Sequence, residues 1–591
     1  MGCCGRTGII TIERKKDETP KGTTNLIPII PNYNSIFLGI NIGAFKTVYS
    51  TFSLNENKKY IYQVLLMNES SRIIPSIICY SNHRDFGENS KSFLKQNLNT
   101  SFNNISRLIG FDNSNNEELK YMYNKEGNME KIKEIGNKNI IADFLSLINE
   151  YYFEKEKIEY DITCLSVPDF YTPNQKQELR LICESIGMKD INIYNESSAI
   201  TMYYGYSKYR DLFLNENNNV NKTLTKYILF VDIGHSKTSF ILSKFEYDLF
   251  EVEHIKLIKD IGGRNIDLLL YEYCINEFKK YGDLNENDIT DRMKFRVIEE
   301  INKKKKNFII SEEIQILVDE YYNDNDLNII IKKDKFEDII KEIIEKIEKE
   351  FDETLKYIKD KQIEVNSLEI AGEIFRIPTF QEIFKKKGFK DFKLEEEDKK
   401  NNLSNTILID ECASVGAALL GSFFEGDFPL KTLTKFENKV TEDKFEYKPD
   451  NSLIKEIQKH IEIQKYLDSF YHEFTKNKNN YKDYIYSLKK VNSMSTENSK
   501  KIKDLQRKLQ KIEYKEEKDR NELEEINKQI KECGLNIIND LIQELKIENC
   551  DDLIEKLEEM KNKNDFPYKE LSEFYQNELS AIIEFSNYCV G

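Results

Sequence analysis

The side chains that most often carry chemistry are thinly spread in this chain. Its ten cysteines are scattered, and apart from the neighbours Cys3 and Cys4 they form no close pair and no Cys-x-x-Cys. With only five histidines besides, a zinc site has no support. Free thiols in a reducing cytosol are the simplest reading. One cluster invites modification: myristate on Gly2 with palmitate on Cys3 or Cys4 would supply the two chains that stable membrane anchoring requires. Lys15 and Lys16 would add attraction to acidic lipid. Arg6 stands where the acylation pattern has Ser or Thr, so an exposed tail is the plainer alternative. The run Lys303-Lys304-Lys305-Lys306, close after Glu300, reads as a solvated helix face.

Bulk chemistry narrows the classes. The 591 residues carry 103 acidic against 87 basic side chains, a net charge of −16, which argues against a nucleic-acid partner. An aromatic share of 12% argues against wholesale disorder. No apolar run approaches the length of a membrane span, and the N-terminus lacks a secretory apolar core. The chain therefore reads as cytoplasmic.

The elements that would position a site follow from periodicity and turn residues. A strand at about 36–41 turns through Gly43 into a second near Thr47–Ser53. Further strands are expected at 60–66, 75–80, 161–167, 226–233, 238–244, 252–258 and 366–371. Helices are expected at 137–155, 173–187, 195–206, 265–281, 290–307, 334–359 and 411–423. Strand groups alternating with helices point to an α/β core. Residues 1–34 read as a flexible tail, 214–224 and 390–405 as loops, and 426–452 as a linker. From 453 to 591 the pattern is helical. Ile502, Leu505, Leu509 and Ile512, then Leu523, Ile526, Ile530 and Cys533, form one apolar stripe broken near Glu516 and Asp519. It fits a long coiled-coil-like helix or a helical hairpin, packed more readily inside a bundle than between chains.

Ten short blocks, in order, resemble the heat shock protein 70 family. They are Leu38-Gly39-Ile40-Asn41-Ile42-Gly43; Ile74-Pro75-Ser76; Phe86-Gly87; Arg107-Leu108-Ile109-Gly110; Ser166-Val167-Pro168-Asp169-Phe170-Tyr171-Thr172; and Asn195-Glu196-Ser197-Ser198-Ala199. Then come Phe230-Val231-Asp232-Ile233-Gly234-His235-Ser236; Ile261-Gly262-Gly263-Arg264-Asn265-Ile266-Asp267; Arg376-Ile377-Pro378; and Asp410 to Ala418. The Asp-Ile-Gly-His-Ser and Gly-Gly-Arg variants look most like the larger, 110-kilodalton branch. The resemblance implies an actin-like nucleotide-binding domain at 35–425, with lobe I at about 35–225 and 408–425 and lobe II at about 226–407. In that branch this domain embraces a partner chaperone and speeds its nucleotide exchange.

The same resemblance implies a cleft in which two hairpins and a magnesium-linked Asp hold triphosphate. Several positions depart from that pattern. The family's first Asp is Asn41, which offers no full negative charge. Ala44 and Phe45 replace two threonines, and Lys46 beside them could reach a phosphate, though a surface lysine is the commoner reading. The second hairpin keeps Asp232 and Gly234, with His235, a cleft-lining imidazole, in place of a glycine. In the adenosine loop, Gly372 and Arg376 remain, but Glu373 and Ile374 replace Gly and Ser. A like-charge contact at about 4 Å and an effective dielectric near 20 costs about 4 kcal/mol, roughly a thousandfold in affinity. Gly39, Gly43, Gly262 and Gly263 keep tight turns. Pro168 and Glu196 match the family's coupling positions, or serve as a turn proline and a lobe-bracing carboxylate.

These departures favour a weak or absent ATPase and no cofactor, with ATP or ADP and magnesium the expectation only if the cleft still works. The thirty-odd residues after 425 are too few for the family's peptide-gripping β-sandwich of about a hundred. A non-catalytic scaffold in a larger assembly, for instance cytoskeletal or ciliary, is the leading expectation. The alternatives are a nucleotide-exchange co-chaperone acting on a heat shock protein 70 partner and, last, an ATP-driven chaperone.

Overall fold

The computed structural model describes residues 35–579 apart from 55–59, 69, 95–97, 111–124, 210–212, 214–222, 281–283, 371–373, 375–376, 388–410, 426–427, 431, 442–446, 492–495, 513–516, 548–550 and 564. Gly2, Cys3, Cys4, Gly372, Glu373 and Arg376 therefore lie outside the described residues. The chain divides into two compact units, one running to Ile461 and the other covering essentially 462–591.

The first unit is built on two similar sheets. In lobe I, β1 (Phe37–Ile42), β2 (Lys46–Leu54) and β3 (Tyr60–Val64) form an antiparallel meander, with β4 (Ile74–Pro75) beside β2. A small separate sheet joins β5 (Ile78–Tyr80), β6 (Arg84–Phe86) and β7 (Ser101–Phe102). The main sheet continues on the other side of β1 with the parallel strands β8 (Ile162–Val167) and β9 (Ile191–Asn195). Lobe II repeats the plan. The meander β10 (Lys226–Ile233), β11 (Thr238–Phe245) and β12 (Leu249–Ile258) carries β15 (Ser367–Ile370) parallel to β10. Its far edge is β16 (Lys435–Asn438), parallel to β12, so part of the stretch expected as a linker belongs to this sheet.

Lobe II also contains a hairpin that the periodicity reading missed, β13 (Glu313–Tyr322) with β14 (Asn325–Lys332). Its signals are plain in retrospect. Glu313 to Val318 alternate exposed and buried, and the turn Asn323-Asp324 has both φ angles positive, at 48° and 61°. Such two-residue turns match strand twist and favour Asn and Asp.

Five helices position the cleft. α1 (Pro173–Ser185) starts at a capping box in which Thr172 accepts from the Gln175 backbone N–H, with Pro173 at the first helical position. α2 (Glu196–Ser207) follows β9 directly. α3 (Gly263–Lys279) and α4 (Asp291–Lys304) belong to lobe II, and α5 (Cys412–Phe424) returns to lobe I. α2 and α5 are buried nearly all round, as expected of helices with no polar face. They share one core with Phe37 of β1 and with Ile228 and Phe230 of β10. The alternate residues, Leu38, Ile40 and Ile42 of β1, and Leu229, Val231 and Ile233 of β10, point into separate outer cores. Period-two alternation thus assigns Asn41 and Asp232 to the two sheet faces turned toward the shared layer.

The second unit is helical. It contains most of α6 (Asn451–Lys489), then α7 (Thr496–Lys511), α8 (Glu517–Ile547), α9 (Asp551–Lys561) and α10 (Tyr568–Phe574). All eight residues of the apolar stripe are buried in its core, shared between α7, α8 and their junction. The stripe is therefore an internal bundle seam.

Close approach of α5 to α2 rests on Gly416, where an added Cβ would lie 1.9 Å from the Ala199 carbonyl oxygen. Backbone cannot yield there as a side chain would. Gly416→Ala is expected to destabilise the first unit by about 3 kcal/mol, read as a lowered urea midpoint.

Candidate functional site

The two meanders end in matching turns. Gly43-Ala44-Phe45-Lys46 joins β1 to β2, and Gly234-His235-Ser236-Lys237 joins β10 to β11. In each the glycine N–H donates to the carbonyl of the lysine that closes the turn, both at 2.9 Å. The turns face one another across a cavity that both line. Phe45, 44% exposed, meets His235 with ring centroids 4.8 Å apart. Phe45 thus occupies the turn expected to receive phosphate. Desolvation, then Lys305, Arg264 and Arg107, keep His235 well below its ordinary pKa, so the imidazole is neutral near pH 7.

The floor of the cavity holds the polar groups that the strand alternation brings together. Asn41 donates from Nδ2 to Glu196 Oε1 at 3.0 Å and to Ser166 Oγ at 2.9 Å. Glu196 starts α2 and so hangs from the end of β9. Opposite it, Lys237 Nζ lies 2.6 Å from Asp232 Oδ2 and 2.9 Å from Glu196 Oε2. The lysine side chain is 10% exposed. Burial penalises its charge, but Asp232 and Glu196 more than offset this and raise its pKa above the usual lysine range. The ammonium is therefore fixed as a cation between two carboxylates. Asp232 and Lys237 belong to lobe II and Glu196 to lobe I, so the triad ties the lobes together.

A second tie comes from Arg107, in the Arg-Leu-Ile-Gly block. From lobe I its guanidinium donates to Ser236 Oγ at 3.2 Å, the Ser236 carbonyl at 2.8 Å and the Lys259 carbonyl at 2.5 Å. It also lies over the Phe170 ring at 4.7 Å.

The lysine run after α4 proves to be divided. Lys303 and Lys304 pair with Glu299 and Glu300 on the outer face. Lys305, only 3% exposed, turns inward to Asp267 at 2.6 Å, and Lys306 also lines the cavity. A solvated face is correct for Lys303 and Lys304 and wrong for Lys305; Lys306 is exposed while also lining the cavity. Burial raises the Asp267 pKa, with Lys305 pulling the other way. Lys46 is half-buried on the cavity wall, not a surface lysine.

Among the other positions singled out in the sequence, Gly43, Ala44, Gly234, Pro168 and Ile374 line the cavity. Gly262 caps α3, and a Cβ there would lie 2.6 Å from the His235 backbone. A Cβ at Gly263 would meet Ile374 at 3.0 Å. Among the described lining residues, five cationic side chains (Lys46, Arg107, Lys237, Lys305, Lys306) stand against two carboxylates, Glu196 and Asp232. Of these cations, Lys237 is paired to both carboxylates and Lys305 to Asp267 behind the wall. Sequence reasoning missed Lys237, Arg107 as a cross-lobe tie, and the inward turn of Lys305.

A family model described as Hsp70 protein matches residues 37–437. A heat shock protein homolog of Saccharomyces cerevisiae is 25% identical over 375 residues, covering 60% of this chain and 51% of that protein. Its namesake in Candida glabrata is 25% identical over 419 residues, 68% of this chain and 57% of that one. Heat shock 70 kDa protein 4L of Homo sapiens is 23% identical over 268 residues, 45% and 30% of the two chains. The chain spans about half the length of the first of these relatives. With a family model matching about two thirds of its residues and the expected block order carried on an actin-like fold, the chain belongs to the Hsp70 family and resembles its larger, 110-kilodalton branch.

Proposed function

We propose that the protein is a nucleotide-exchange co-chaperone for a partner of its own family, acting through its folded lobes without hydrolysing ATP itself. The observation that carries this reading is the cleft floor. Asn41 cannot serve as a carboxylate base, and Lys237 holds both remaining carboxylates. Yet the lobes are intact and bonded to one another through Arg107 and Lys237. A surface that works by embracing a partner needs that architecture and not the reaction. The larger branch, which the chain resembles, combines these properties.

The competing readings have less behind them. A fixed place in a cytoskeletal or ciliary assembly finds no support in the fold or in the relatives. An ATP-driven chaperone needs hydrolysis coupled to a peptide-gripping sandwich. Among the described residues between 425 and 452 there is a single strand, β16, and it belongs to lobe II. A cytoplasmic setting is part of the proposal. Among the described residues no helix is long and apolar enough to cross a membrane.

Two experiments test it. A partner chaperone loaded with fluorescent ADP should release it about tenfold faster at saturating amounts of this protein. No acceleration across a concentration series would remove the exchange reading. Steady-state assays should show no saturable ATP hydrolysis by the protein alone. Asn41→Asp should stay inactive, because Lys237 still sits between Glu196 and Asp232; measurable turnover by either protein would overturn the non-catalytic reading.

A further inference from the structure

The cleft floor disagrees with the metal its family uses. A magnesium ion there needs oxygen ligands with negative charge and room for water. Asn41 turns its amide donors toward Glu196 and Ser166, which adds N–H groups where a cation would want oxygen. The carboxylates Glu196 and Asp232 already share one cation, the Lys237 ammonium, at 2.9 and 2.6 Å. A divalent ion between them would sit against that buried positive charge. Among the described residues, no three His, Cys, Asp or Glu side chains gather into a group that could hold a metal. Magnesium does not fit this floor.

The same floor fits a phosphate oxygen. An ammonium has three N–H donors; two point to carboxylates, and Lys237 also lines the cavity. Lys46 ends the opposite turn at the equivalent position, and Lys306 also lines the cavity; Arg107 and Lys305, already bonded to the Ser236 and Lys259 oxygens and to Asp267, add positive charge to the wall without a ligand bond of their own. Charge-assisted bonds from such groups are the strong ones for phosphate.

We propose that this cleft binds a polyphosphate anion, with ADP and ATP as its probes, in the metal-free form, the Lys237 ammonium standing where the family's magnesium would be. This concerns the protein's own cleft and is separate from exchange on a partner, so either can fail without the other.

The test is isothermal titration of ADP and ATP into the full chain, once with excess chelator and once with excess magnesium chloride. Affinity in chelator should equal or exceed that in magnesium. Lys237→Met should weaken binding in chelator by about tenfold or more. Manganese titrated into the nucleotide-free protein, followed by its paramagnetic resonance signal, should find no site tighter than about 0.1 mM in the native chain and should gain one in Lys237→Met. Tightening by about tenfold on adding magnesium overturns the proposal. So does a tight manganese site in the native chain, an unchanged metal-free affinity in a folded Lys237→Met, or no binding of either nucleotide up to about 1 mM in both buffers. Should Lys237→Met fail to fold, the native chain's two nucleotide titrations and its manganese signal decide.

Discussion

The structure depends on one geometric constraint: strands β1 and β10 share a single helical layer. α2 and α5 are packed against Phe37 on one side and against Ile228 and Phe230 on the other. Because side chains alternate along a strand, that choice of buried face also decides which polar residues reach the cleft. Asn41 continues the face of Phe37, and Asp232 continues the face of Phe230. A one-residue slip in either strand would bury those polar groups in the outer cores and turn Ile42 or Ile233 into the cleft. The paired registers Ile42 with Thr47 and Ile233 with Thr238 close both turns at the same depth. The site is thus a consequence of packing, and its chemistry is set by what evolution placed at a few positions.

Lys237 is the position that matters most. A unit charge about 4 Å from a divalent ion, at an effective dielectric near 20, opposes it by about 8 kcal/mol, twice the value for two unit charges. Taking the lysine charge out of water is costly too, and it is tolerated only because two carboxylates surround it at hydrogen-bonding distance. Removing the ammonium would leave Glu196 and Asp232 facing one another, while removing a carboxylate would leave a buried cation. Each of the three groups is held in place by the others.

Much of this architecture is legible in the chain. The glycine turns, the apolar alternation of β1 and β10, and the ordered blocks carry the two-lobed fold. Asn41 and Phe45 are visible as departures because their neighbours match a known pattern so closely. Lys237 was hidden by its context. A lysine next to Thr238 on a strand edge looks solvated, and only the meeting of the two lobes reveals its carboxylates. Lys305 was hidden in a run whose first members do face solvent. β16 was obscured by its charged surroundings: its pairing with β12 depends on backbone bonds, with Phe436 as its one buried side chain.

The cross-lobe contacts bear on how such a molecule would work. In a nucleotide-driven machine, the ligand and its metal supply the attraction between lobes, and their loss lets the cleft open. Here the Lys237–Glu196 ion pair, the Arg107 bonds and the Phe45–His235 contact connect the lobes using the chain's own atoms. A ligand shifts a conformational equilibrium only as far as it binds one state better than another, and these contacts are made without any ligand. The lobes are bonded to one another by the chain's own atoms rather than through a nucleotide. That is a disadvantage for a motor and suits a protein whose partner, not itself, must change nucleotide state.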